Sequence, residues 1–394
     1  MREITLDMYQ TLGLAIILLL LGNWIKSKVE VLRKYFIPAP VVGGLLFSIL
    51  MLIGHTTQIV TFNFDSNLRN FFMVVFFTSV GFLASFSLLK KGGIGVALFL
   101  FAAIVLVILQ NGVGVALAKV FGLNPGIGLA AGSIPLTDGH GTSGAFGPYL
   151  EERGVVGATV VAVASATYGL VAGCMIGGPI AKRLMEKFNL VCKDESKAQA
   201  SASSEERVTE SSIFRATCLI GIAMGLGATI TPIIKNAGLS LPAYLIPMLI
   251  AAILRNVIDG TANKTPINEI SIIGNVCLSL FLSMALMSMK LWQLADLALP
   301  LISILLVQTV IMAIFAYFVT FSIMGRDYDA AVMATGHCGF GMGATPNAIA
   351  NMEAFTSVNG FSTKAFFVIP LVGSLFIDFF NAVIIQTFTS IFVG

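Results

Sequence analysis

Thr335–Asn347 reads TGHCGFGMGATPN, an uncharged, glycine-punctuated stretch between two long apolar segments. Four glycines, Gly336, Gly339, Gly341 and Gly343, are expected to break a helix here, because each costs about 1 kcal/mol against alanine in a helix interior. The pattern then reverses. Thr345 is a good N-cap, Pro346 suits a first helical turn, and the following NAIANMEAF reads as helix. Two short helices should therefore meet at a bare backbone tip. Asp138–Pro148, DGHGTSGAFGP, has the same plan. His140 and His337 each sit in a Gly-His pair, so two of the chain's 3 histidines fall in echoing positions.

Working outward, the surroundings are apolar. Of the 394 residues 57% are hydrophobic and 11% charged. A soluble domain carries about 45–50% and about 25%. The chain therefore reads as an all-α integral membrane protein with room for roughly ten spans of about 20 residues. A net charge of +3 without a basic, aromatic-interleaved stripe gives no sign of nucleic-acid binding. The 5 cysteines show no CxxC spacing and read as free thiols in apolar helices.

The expected spans are 8–25, 36–54, 71–89, 94–121 and 158–181 in the first half. In the second they are 213–234, 241–254, 270–289, 299–324 and 365–392. The domains are an N-terminal membrane repeat at 1–184, a polar cytoplasmic linker at 185–212 and a C-terminal repeat at 213–394. A glycine-rich re-entrant loop stands near 122–154 in one repeat and 327–360 in the other. FIPAPVVGGLLFSIL at 36–50 echoes SLPAYLIPMLIAAIL at 240–254. Gln110 precedes His140, and Gln308 precedes His337, by nearly the same interval. Five spans per repeat, an odd number, make the second copy enter from the opposite side, the inverted-topology arrangement of secondary transporters.

Charge gives a separate check. With both termini outside, the outer side holds Arg2, Arg69, Lys119, Arg153, Lys235 and Lys290. The other 17 of the 23 basic residues fall inside.

Irregular backbone at membrane depth is tolerated only inside protein or along a wet cavity. Helix N-termini attract anions, and free carbonyls at helix C-termini suit sodium. The tip residues Thr137, Gly139, His140, Gly141, Thr142, Ser143, Gly336, His337, Gly339, Gly341, Gly343, Thr345 and Asn347 are therefore candidates to bind a small anion. Half-helix N-termini at Thr142–Ser143 and Thr345–Asn347 would hold its carboxylates. Gln110, Ser133, Gln308, Asp329, Asp378 and Asn381 are polar groups in apolar surroundings and candidates for the cationic partners. No third histidine or cysteine set accompanies the tips, so a resident metal other than Na⁺ is not expected. The chain has no GxxxxGK[ST] sequence for a nucleotide.

IPAPVVGGL at Pro38, LQNGVG at Gln110, GHGT at Gly139, GNVCLSLFLSMALMSMKLW at Asn275 and GHCGFGMGATPNAIANM at Gly336 together resemble the bacterial sodium/glutamate symporter family. The resemblance implies two inverted five-helix repeats and Na⁺-coupled uptake of L-glutamate across the bacterial inner membrane. It also implies elevator-like alternating access in a homodimer, with Na⁺ as coupling ion and no other cofactor. A symporter of another small carboxylate, a channel and a membrane enzyme are the alternative readings, in that order.

Overall fold

The computed structural model describes residues 2–34, 37–85, 93–137, 139–192, 208–236, 243–261 and 265–394. Asp138, Lys90 and Lys91, and residues 193–207 of the expected linker lie outside the described residues. The chain opens with β1 (Arg2–Leu6), α1 (Met8–Lys28), α2 (Glu30–Lys34), α3 (Ala39–Thr56), β2 (Val60–Phe64) and α4 (Asn67–Leu83). Next come α5 (Gly93–Val120), α6 (Pro125–Ala130), α7 (Ser133–Leu136), α8 (Gly139–Glu151) and α9 (Ala158–Phe188). After the linker follow α10 (Glu210–Asn236), α11 (Leu245–Asp259), α12 (Ile267–Met287), a 3₁₀ segment (Leu291–Leu297) and α13 (Ala298–Ile314). A π-helical turn (Phe315–Thr320), α14 (Phe321–Ile323), α15 (Tyr328–Gly341), α16 (Thr345–Asn359), α17 (Thr363–Leu375) and α18 (Ile377–Phe392) complete it.

Among the described residues, seven helices are long and apolar enough to cross a membrane, and the α17–α18 pair, bent by 44°, makes an eighth. The other two positions expected as spans carry shorter helices, α4 with 17 residues and α11 with 15. One feature was not anticipated from the sequence. REITL and VTFNF, five residues each, form a parallel two-stranded pair in the register Arg2↔Val60 to Leu6↔Phe64. Of the three helices between the strands, α1 and α3 have span length, which returns β2 to the end of the bundle where β1 begins.

The chain forms two compact units, each drawn from both halves of the sequence. Unit 1 comprises Met1–Ala84, His140–Val163 and Glu210–Leu299. Its helices touch through small residues, as membrane helices do when lipid offers no hydrophobic drive for association. A methyl group on Gly43 would lie 1.9 Å from the carbonyl oxygen of Leu18, so α1 and α3 cross backbone to backbone. Ser283 Oγ donates to the Ala15 carbonyl at 2.6 Å and Ser48 Oγ to the Leu286 carbonyl at 2.5 Å. Unit 2 comprises Ser85–Gly139, Ala164–Thr209 and Pro300–Gly394. There α5 meets α6 with equal intimacy at Gly114 and Gly128.

Both expected helix breaks are present, with corrected positions. Gly336 and Gly339 do not interrupt their helix, since α15 runs to Gly341 and the break is Met342–Ala344. Their smallness serves packing instead: a methyl group on Gly339 would lie 2.5 Å from the backbone of Ala348 on α16. Thr345 is the first residue of α16 rather than its cap, which is Ala344. In the first, residues 139–148 of the expected tip are helical: α8 starts at Gly139 with φ +67° and runs through Pro148, so Thr142 and Ser143 lie inside the helix.

Candidate functional site

The site in unit 2 grows from α5. Its mean side-chain character is apolar, yet Gln110 and Asn111 stand in its middle and are fully buried. Buried amides require partners. Gln110 Nε2 donates to the carbonyl of Gly341, the last residue of α15, at 2.7 Å. Gln110 Oε1 accepts from Thr137 Oγ1, just beyond α7, at 2.9 Å. Its backbone carbonyl accepts from Gln308 Nε2 of α13 at 2.7 Å. One side chain thus joins the residues that flank both helix breaks. The breaks themselves approach closely, because a methyl group on Gly139 would stand 3.1 Å from the Gly343 carbonyl oxygen.

One turn away three oxygens gather. Ser133 Oγ lies 3.0 Å from Asn111 Oδ1 and 2.7 Å from Asn381 Oδ1. A hydroxyl has one proton, so it satisfies only one of these two carbonyl oxygens at a time. Ser133 N also donates to Asn111 Oδ1 at 3.0 Å, and Asn381 Nδ2 donates to the Ser133 carbonyl at 3.2 Å. The cluster is rich in acceptors, the donor set that hard cations prefer. Asp378 stands one turn before Asn381, in the first turn of α18 at the 44° bend.

On the far side of the second break, Asn347 of α16 is fully buried. Its Nδ2 donates to the Leu170 carbonyl at 3.2 Å and to Cys174 Sγ at 3.1 Å, while Oδ1 has no partner. Asn351, one turn on, ties the Gly173 and Thr335 carbonyls. Asn111 Nδ2, Gln308 Oε1, Thr335 Oγ1 and His337 Nε2 in unit 2 are likewise buried without hydrogen-bond partners. α16 has no side-chain cap. Pro346 has no N–H, and Asn347 N donates to the Ala344 carbonyl at 3.0 Å, so within this first turn the Thr345 N–H is the one left to receive an anion.

Several other sequence candidates bond or pack against other neighbours. His337 is held by side chains of its own surroundings. Its Nδ1 lies 2.8 Å from Thr320 Oγ1 on the π-helical turn, and Phe99, Phe315 and Phe340 surround its ring. Gly336 packs against Met352 and Ile369. Asp329 lies at the opposite end of α15, about 18 Å from Gly341 at 1.5 Å per residue, and accepts from Ser362 Oγ at 2.6 Å. Thr345 packs against Gly373. His140, Gly141, Thr142 and Ser143 belong to unit 1, where Gly141 faces Phe76 and Leu278 and Ser143 Oγ donates to the Ala162 carbonyl at 3.2 Å. Asn111, Asn351 and Thr320 are additions that sequence reading passed over. The adjacency of Asn111 to Gln110 in an apolar helix was the one available signal.

Span-length apolar helices, interrupted where buried amides and hydroxyls collect, define a polytopic membrane protein of the secondary-transporter class. The family described as sodium/glutamate symporter matches residues 4–361. A sodium/glutamate symporter of Haemophilus influenzae is 41% identical over 391 residues, covering 97% of each chain. Those of Escherichia coli K12 and Shigella flexneri are 42% identical over 390 residues, again covering 97% of each. The chain belongs to the sodium/glutamate symporter family, a family of transporters and not of enzymes, with Na⁺ as coupling ion.

Proposed function

We propose that this chain carries L-glutamate into the cell together with Na⁺ at the paired helix breaks of unit 2. Family membership supports the cargo and the coupling ion. The local chemistry supports the place, and the observation that carries it is Gln110 bridging Thr137 and Gly341. The uncapped start of α16, with Asn347, receives carboxylate. The oxygens of Ser133, Asn111 and Asn381, with Gln308 and the break carbonyls, receive Na⁺. Asp378 is placed to hold a cationic group.

Coupling follows from charge. Glutamate carries one net negative charge, and an inside-negative potential opposes its entry by about 2.3 kcal/mol per 100 mV. Two or more Na⁺ reverse the sign of the cargo. They also neutralise the carboxylates before burial, which removes much of the desolvation cost.

The two breaks are the re-entrant hairpins of inverted repeats 1–184 and 213–394, with both termini outside. Unit 2, which holds both breaks, is the body that moves in an elevator-like cycle, and the protein works as a homodimer in the bacterial inner membrane. The test is glutamate uptake into proteoliposomes under an inward Na⁺ gradient, with Gln110→Ala and Asn381→Ala beside the parent. Uptake indifferent to the gradient would end the coupling proposal. Uptake unchanged in both variants would end the site assignment.

A further inference from the structure

Unit 1 holds a cavity, lined in part by charged residues, that the symport reading leaves unused. It has a volume of about 430 Å³, within the range of small-molecule sites. β2 and the start of α4 form one wall, with Asp65 and Arg69; α8 and α9 add Glu151 and Thr159; the segment after α12 adds Lys290 and Trp292.

Charges of both signs line this space, and among the described residues none of them forms a close ion pair. Arg69 is partly buried; its guanidinium hydrogen-bonds the Asn70 amide oxygen at 3.4 Å and feels the Glu151 and Glu152 carboxylates electrostatically without an ion pair to either. Asp65 accepts from the backbone and side chain of Asn67, and Glu151 Oε1 accepts from Thr159 N at 3.1 Å. Among the described residues the ion pairs are Lys182–Glu186 and Arg255–Asp259, so no cation here is matched to a carboxylate of the same cavity. Thr159 is 6% exposed, and its Oγ1 is buried without a hydrogen-bond partner. His55 and Trp292 stack face to face, with ring centroids 4.0 Å apart, and give the cavity an aromatic wall.

Opposite charges held beyond ion-pair distance on the walls of one partly desolvated space compensate each other only in part, and a ligand carrying both complements completes the match. We propose that this cavity is a binding site for a small zwitterion with an anionic group and an ammonium on a short spacer. Arg69 and Lys290 take the anionic group, with Thr159 Oγ1 as an added hydrogen-bonding group, and Glu151 and Asp65 take the ammonium. That chemistry is shared by a free amino acid and by a phosphoethanolamine lipid headgroup.

The chain has two tryptophans, Trp24 and Trp292, so Trp24→Phe leaves Trp292 as the sole reporter inside the cavity. The full chain in phosphatidylcholine nanodiscs is titrated with L-glutamate in sodium-free choline buffer, and a parallel sample has phosphatidylethanolamine in place of part of the phosphatidylcholine. The expected result is a saturable change of Trp292 emission with one of the two sources. Arg69→Gln and, on the exposed rim, Lys290→Gln should each weaken it roughly tenfold or more. A response to glutamate assigns the free amino acid, and a response to the lipid exchange assigns the headgroup. Emission that moves with neither, or that moves equally in both variants, overturns the site.

Discussion

Gly139 stands so near the carbonyl of Gly343 that a methyl group on it would lie 3.1 Å from that oxygen. Gly139 also has φ +67°, where a side chain is strained. Two helix breaks far apart in sequence thus meet through bare backbone. Gly139→Ala pays twice, about 1 kcal/mol or more for the left-handed conformation and a further cost for the contact. The expected outcome is at least tenfold slower Na⁺-driven glutamate uptake with the protein still folded, as judged by monodisperse elution. Gly93→Ala, also at positive φ but with open space around it, controls for strain alone and should keep uptake near the parent rate.

Gln110→Ala removes a donor to Gly341 and an acceptor from Thr137 in one step. Each buried group left unpaired costs about 1–3 kcal/mol. The melting temperature should fall by several degrees and uptake should be lost. Gln308→Ala removes one side-chain bond to the Gln110 carbonyl, so its loss of stability should be the smaller of the two. Thermal unfolding followed by intrinsic fluorescence compares them directly.

Ser133→Ala combined with Asn381→Ala deletes two of three clustered oxygens. The Na⁺ concentration for half-maximal uptake should rise about tenfold or more, the equivalent of one charge-assisted contact. Glutamate affinity at saturating Na⁺ should change far less. Equal losses in both would assign the cluster to structure and not to the cation.

His337 is enclosed by three phenylalanines and bonded to Thr320. A substrate ligand at this position would not tolerate replacement by an apolar ring of like size. The geometry predicts that His337→Phe keeps uptake within about threefold, because the loss is one hydrogen bond, about 0.5–1.5 kcal/mol. Radiolabelled glutamate uptake measures it.

Asp329→Asn should leave the Na⁺ dependence untouched. Its carboxylate holds Ser362 at the far end of α15, so the expected change is a small drop in thermal stability, again read by fluorescence. A shifted Na⁺ requirement would return Asp329 to the cation site.

The sequence alone determined the class of protein, because a chain that is 57% hydrophobic and 11% charged leaves a membrane as the natural solvent. It also located both breaks to within a few residues and singled out Gln110, Ser133, Gln308 and Asn381, since polar groups in apolar helices must meet something. What each of those groups meets was decided only in three dimensions. Glycine permits a broken helix and a close helix crossing equally well, and a local pattern does not say which partner approaches. Thus Gly339 proved to serve the contact with Ala348 within an intact helix, and His337 proved to bond Thr320. The joining of Asn111 and Ser133 with Asn381, some 250 residues later, depends on how α5, α7 and α18 pack, and packing is a property of surfaces brought together, which no single segment carries.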